Sequence, residues 1–88
     1  MQYLGSSAIM TSTTNQEIVQ TQLVAPYTSL GKFTFINDGV CHVLVNNSLP
    51  ILLRANQGFY SEQSDYRISS FIIIDAGITF SWIGEISW

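Results

Sequence analysis

The sequence predicts an all-β protein: a small antiparallel β-sandwich or compact barrel, with an extended N-terminal arm over residues 1–16 and a single β domain over residues 17–88. Three observations point there. From Glu17 onward, short runs rich in Val, Ile, Phe and Thr are separated by Gly, Asn, Asp and Pro at intervals of about ten residues, the spacing of short strands joined by turns. No window carries an apolar stripe of helical period with capping residues. A chain of 88 residues has room for one core, and strands of this number in one small domain close as a sandwich or barrel.

The arm, "MQYLGSSAIMTSTTNQ", is rich in Ser and Thr and carries Tyr3, Leu4, Ile9 and Met10 without a regular period. The stretch reads either as a frayed tail or as an extended arm that docks on a neighbouring subunit, and Ile9 and Met10 have little use in a solvated tail. Strands are then expected over residues 17–25, 31–37, 40–46, 49–54, 66–74 and 78–84, with a short terminal one over 85–88. Asp38-Gly39 reads as a two-residue hairpin loop, because a type I′ turn needs positive φ at both positions. Such a hairpin pairs Phe35 with His42 and Phe33 with Leu44. It puts Phe33, Phe35, His42 and Leu44 on one face and Thr34, Ile36, Cys41, Val43 and Val45 on the other.

A loop of two or four residues near "NNSL" adds Leu49, Ile51 and Leu53 to the first face, which is then the core; a three-residue loop reverses that assignment. Residues 54–67 form the one long polar connection, with Gly58 allowing a turn. The run "SSFIIIDAGITFSWIG" reads as a final hairpin turning at Asp75-Ala76-Gly77, with Ile78, Phe80 and Trp82 alternating into the core.

Composition restricts function. The chain is 47% hydrophobic and 10% charged, where an ordinary soluble domain is about 25% charged. A surface of uncharged polar groups loses little on being covered, because few ions need desolvating. Small domains are marginal alone, and a single cysteine cannot form an internal disulfide, so further subunits are the expected stabiliser. Lys32, Arg54 and Arg67 are the whole cationic complement against a net charge of −3, too few to track a phosphate backbone. No apolar run approaches the roughly 20 residues of a membrane helix. "MQYLGSSAIM" has neither a basic n-region nor an apolar h-region, so synthesis in a cytoplasm is expected.

Cys41 and His42 are adjacent, but neighbours on a strand point to opposite faces and do not make a catalytic dyad. His42 is expected as a buried or half-buried ring beside Phe35, and Cys41 as a small apolar filler. Glu62 and Asp65 sit together on the long loop with no second feature to support a glycosidase pair. No catalytic residue, metal site or cofactor site is assigned. The candidate interface residues are Tyr3, Ile9, Met10, Tyr60 and Trp88, apolar groups placed where a small core does not hold them.

The segments "FINDGVCHVLVNNSLPILLRANQGF" and "ISSFIIIDAGITFSWIG" resemble small all-β virion proteins of tailed bacteriophages: a strand ending in Asn-x-Gly, a Val-rich strand, a proline-containing strand, a Gly-aromatic loop and a closing strand ending in Trp-x-Gly. The resemblance implies a non-enzymatic subunit in many copies, such as a capsid decoration protein or a small head- or tail-associated protein. The expected partners are then copies of itself, as a trimer or ring, and a major capsid or tail protein. The expected place is the virion, after synthesis in the host cytoplasm. The alternative is a small carbohydrate-binding module whose exposed aromatics stack on host or surface glycans.

Overall fold

The computed structural model describes residues 2–23, 29–61 and 67–86. Among them the chain forms strands and no helix: β1 (Gln2–Gly5), β2 (Met10–Thr11), β3 (Gln16–Glu17), β4 (Gly31–Asn37), β5 (Cys41–Val45), β6 (Ile51–Leu53), β7 (Phe59–Tyr60), β8 (Phe71–Ile73) and β9 (Thr79–Ile86). Sheet A has the order β1-β9-β4-β7, with β2 also on β9, and sheet B has the order β3-β8-β5-β6. Every pairing is antiparallel. β1 and β2 lie along the same edge of β9, from Gln2↔Ile86 to Thr11↔Thr79, interrupted at residues 6–9. Taken as one broken strand, they leave a chain that changes sheet at every later connection except β5 to β6. That is the two-Greek-key jelly roll.

The core follows from alternation. Phe33 and Phe35 of β4 and Phe80 and Trp82 of β9 face inward from sheet A. Cys41 and Val43 of β5, Leu53 of β6, and Phe71 and Ile73 of β8 meet them from sheet B. Phe71 is the ring that joins the layers, its centroid 5.0 Å from Phe33 and 4.7 Å from Phe35. Gly84 faces inward on β9 because Leu30 fills its place: a Cβ there would meet the Leu30 Cδ1 at 2.8 Å.

Several expectations are corrected. β4 and β5 are not a hairpin: β4 pairs β7 and β9, while β5 pairs β6 and β8. Asp38-Gly39 is instead the corner where the chain crosses between layers, and neither residue has positive φ. The corner is held by buried Asn37, whose side-chain amide donates to the carbonyls of Gly39 (2.7 Å) and Arg54 (2.9 Å) and whose Oδ1 accepts from Gly58 N–H (2.8 Å). The faces therefore sort differently. Cys41 and Val43 join Phe33 and Phe35 in the core, and His42 turns outward instead of packing beside Phe35. The loop to β6 is odd, as Cys41↔Leu53 and Val43↔Ile51 show, and with β5 also turned over Leu53 keeps its expected place in the core, while Ile51 and Leu49 lie open toward the sheet edge.

The turn at Asp75-Ala76-Gly77 does use Gly77 at φ 81°, as expected of a left-handed position. It also crosses layers, since β8 belongs to sheet B and β9 to sheet A. The expected strand over 17–25 stops at Glu17. Its carboxylate accepts from the N–H groups of Val19 (2.9 Å) and Phe71 (3.0 Å) and from the Ser70 hydroxyl, curling the chain so that Ile18 and Val19 plug one end of the core. The long polar connection contains β7, and the last strand runs on through Ile86. In the stretch expected as an arm, β1, β2 and the start of β3 are extended, but their backbone pairs with β9 and β8 of the same chain.

Candidate interaction surface

The outward face of sheet A is set by the same alternation that builds the core. β4 alternates buried and open positions, so Lys32, Thr34 and Ile36 point away from Phe33 and Phe35. Trp82 and Phe80 are buried, so Ser81 and Ile83 of β9 share the outer face. Register aligns these groups across the sheet: Thr34 lies between Ile83 and Tyr60, Ile36 opposes Ser81, and Tyr3 opposes Glu85. Tyr3 (61% exposed), Tyr60 (65%), Ile36 (49%) and Ile83 (47%) thus gather on one face. Scattered exposed apolar residues are ordinary, whereas a group on one sheet face marks a contact surface. At its centre Ser6, Thr34, Ile36, Ser81, Trp82 and Ile83 line a shallow open depression.

Among the described residues, charge enters this face at Lys32 and Glu85. A register shift between Gly31 and Thr34, with Lys32 at φ 45°, makes a bulge in β4. The bulge brings the Lys32 Nζ within 4.0 Å of the Glu85 Oε2. Glu85 is 6% exposed, and its Oε2 has no hydrogen-bond partner.

The opposite face is organised around His42. Asp75 Oδ2 accepts from the His42 N–H (2.7 Å) and contacts its Nδ1 (3.1 Å); a carboxylate can only accept, so Nδ1 carries the proton. Hydrogen bonds from the His42 backbone, then from its ring, hold the Asp75 carboxyl below the usual range. The neighbouring thiol does not reach the pair. Cys41 points into the core, where burial first and the Asp75 charge second push its thiol up, away from reactivity. Among the described residues no group of three or more His, Cys, Asp or Glu could hold a metal ion.

A second apolar group, Ile51 and Leu52 of β6 with Leu49 just before it, lies at the free edge of sheet B. This edge is a poor template for another strand. The His42 N–H and C=O both point toward β8, so Cys41 and Val43 bond β6 and only Leu52 of that strand presents main-chain groups outward. Pro50 lacks a donor, and the Arg54 N–H is taken by Gln57 Oε1 at 2.8 Å.

Of the residues singled out by sequence, Tyr3 and Tyr60 stand on the outer face of sheet A, flanking its centre. Met10 lies on β2 opposite Phe80, and Ile9 is exposed in the break between β1 and β2. Trp88, Glu62 and Asp65 lie outside the described residues. Ile36 and Ile83 were not singled out, although strand parity put Ile36 on the face opposite Phe35 and leaves Ile83 opposite Trp82. No family model, curated protein or solved structure matches the chain.

Proposed function

We propose that this protein is a non-enzymatic assembly subunit that associates with copies of itself, as a trimer or ring, and sits on the capsid or tail surface of a bacteriophage particle. The observation that carries the self-association is the grouping of Tyr3, Ile36, Tyr60 and Ile83 on the outer face of sheet A, where the charge among the described residues is the Lys32–Glu85 pair beside Tyr3. Covering that face removes apolar surface from water, at roughly 25 cal/mol per Å², and the polar groups it covers around Ile36 and Ile83 are hydroxyls of Thr34 and Ser81. Multiplied over a symmetric assembly, such contacts become strong without any one of them being so. The virion setting rests on the resemblance of turn placement and composition. The jelly roll serves in capsid and lectin domains alike, so the fold does not choose between them.

The test is association measured with and without the face. Static light scattering on the wild-type chain should give a multiple of 9.8 kDa, and Ile83→Glu should reduce it to the single-chain value with the fold retained. A folded wild-type chain that stays single and does not co-sediment with phage particles overturns the proposal.

One observation favours the second reading, a glycan-binding module: Tyr3 and Tyr60 flank a depression lined by the hydroxyls of Ser6, Thr34 and Ser81, with Trp82 beneath. Sugar seated there should change Trp82 emission saturably. A spectrum unchanged across a broad oligosaccharide panel removes that reading.

A further inference from the structure

We infer that β1 is an exchangeable strand: in the assembled protein, residues 2–6 of one copy occupy the edge of β9 in a second copy. This rests on the proposed self-association and names the element that carries it.

Three observations support the exchange. First, β1 is held by little besides its backbone. Of its described side chains, Leu4 alone packs against the core, while Tyr3 points outward and Gly5 has no side chain to bury. Its hold on β9 is main-chain pairing from Gln2↔Ile86 to Gly5↔Ile83, extended by Ser6, whose N–H donates to the Trp82 carbonyl at 3.0 Å and whose hydroxyl accepts from Trp82 N–H at 3.1 Å.

Second, the anchor of the N-terminal segment lies beyond β1. Ser12 is buried. Its hydroxyl donates to the Asp75 carbonyl (2.7 Å) and accepts from the Ile78 N–H (2.9 Å), its N–H donates to the Ile78 carbonyl, and its carbonyl accepts from Gly77. Between anchor and β1 lie Ser7, Ala8 and Ile9, all exposed and unpaired in the sheet, where residues 6–9 of the edge strand stand against Ser81 and Trp82 of β9. That stretch is the hinge, small-residued and outside the ladder, which strand exchange requires.

Third, the slot fits this segment and no generic strand. Gly5 passes so close to β9 that a Cβ would sit 2.8 Å from the Trp82 carbonyl oxygen. The occupant of a vacated β9 edge is therefore β1 of another copy, which restores every bond in the same register. Exchange also brings Tyr3 and Ile9, solvated in the closed chain, to the junction between copies. An uncovered β9 would be a long, nearly uncharged edge strand, so the arrangement also keeps that edge occupied.

Engineered disulfides read the connectivity directly. Tyr3 and Glu85 are directly opposed in a non-hydrogen-bonded pair, the spacing a disulfide needs, and so are Thr11 and Thr79 on the anchored side. After mild oxidation of the associated protein, Tyr3→Cys/Glu85→Cys should run on a non-reducing gel at twice the chain mass or above. Thr11→Cys/Thr79→Cys should close within single chains, which also reports that the fold is intact. Mixing chains bearing Tyr3→Cys alone with mass-tagged chains bearing Glu85→Cys alone should trap a mixed covalent dimer. If both double variants close within chains and the mixture traps nothing, while the wild type still associates in light scattering, exchange is wrong and association stands. If the wild type is a single chain, both fall.

Discussion

β4 and the β1/β2 strand flank β9 on its two sides, and they show how differently two neighbours of one strand can be held. Both form antiparallel ladders with β9. β4 also buries Phe33 and Phe35 against the rings of sheet B, whereas β1 contributes Leu4 alone among its described side chains. A net backbone hydrogen bond contributes about 1 kcal/mol and a buried aromatic several times that. Stability should therefore concentrate in β4, and availability for a partner in β1.

The largest effect should follow from cutting into β4's side. Phe35→Ala is expected to cost about 3–5 kcal/mol, a large part of the stability of a domain this small, and urea unfolding should find the variant largely unfolded. Next is the corner that β4 leads into. Asn37→Ala strands the Gly39 carbonyl and the Gly58 N–H and takes one of two donors from the Arg54 carbonyl, which keeps the Gln57 N–H, for a loss on the order of 3 kcal/mol by the same measurement. Leu4→Ala, on β1's side, should lower the unfolding free energy by only about 1 kcal/mol, since the site is half open. A Leu4→Ala loss equal to that of Phe35→Ala would erase the contrast.

The smallest expected effect lies away from β9, at Asp75. Its folded-state pKa is depressed by the His42 N–H and ring, so its contribution is complete above the unfolded value of about 3.9 and is lost as pH falls through the folded value. The gap in urea midpoint between wild type and Asp75→Asn should be steady at neutral pH and close in acid. A gap that widened in acid would contradict the assignment.

Strand parity was legible in the sequence and strand partnership was not. The alternation of Phe33, Phe35 and Ile36, and of Phe80 and Trp82, sorts inward from outward positions without knowledge of neighbours. Asp38-Gly39 fits a hairpin and an interlayer corner equally well; the residue that decides is Asn37, whose buried amide ties the corner to Arg54 and Gly58, far along the chain. His42 and Cys41 were rightly placed on opposite faces, yet which faces inward depends on the sheet β5 joins. β7 is two residues in a polar stretch, visible only once Gly58, at φ 71°, turns the chain onto β4. Of the interaction surface, Tyr3 and Tyr60 stood out as stray aromatics, while the role of Ile36 and Ile83 needed the register that brings them together.

The contrast can be read within β9 itself, because its residues bond alternately to its two neighbours. The Asp38 N–H donates to the Thr79 carbonyl, so the amides of Ser81 and Ile83 face β4. The Ser6 N–H donates to the Trp82 carbonyl, so the amide of Gly84 faces β1. Native-state hydrogen exchange of these adjacent amides is the most direct measurement. At a dilution where chains are single, Ile83 should be protected to nearly the global unfolding free energy and Gly84 should exchange at least about tenfold faster, through opening of β1 alone. Equal protection at the two positions would mean that β1 leaves only when the whole domain unfolds, and would contradict the account.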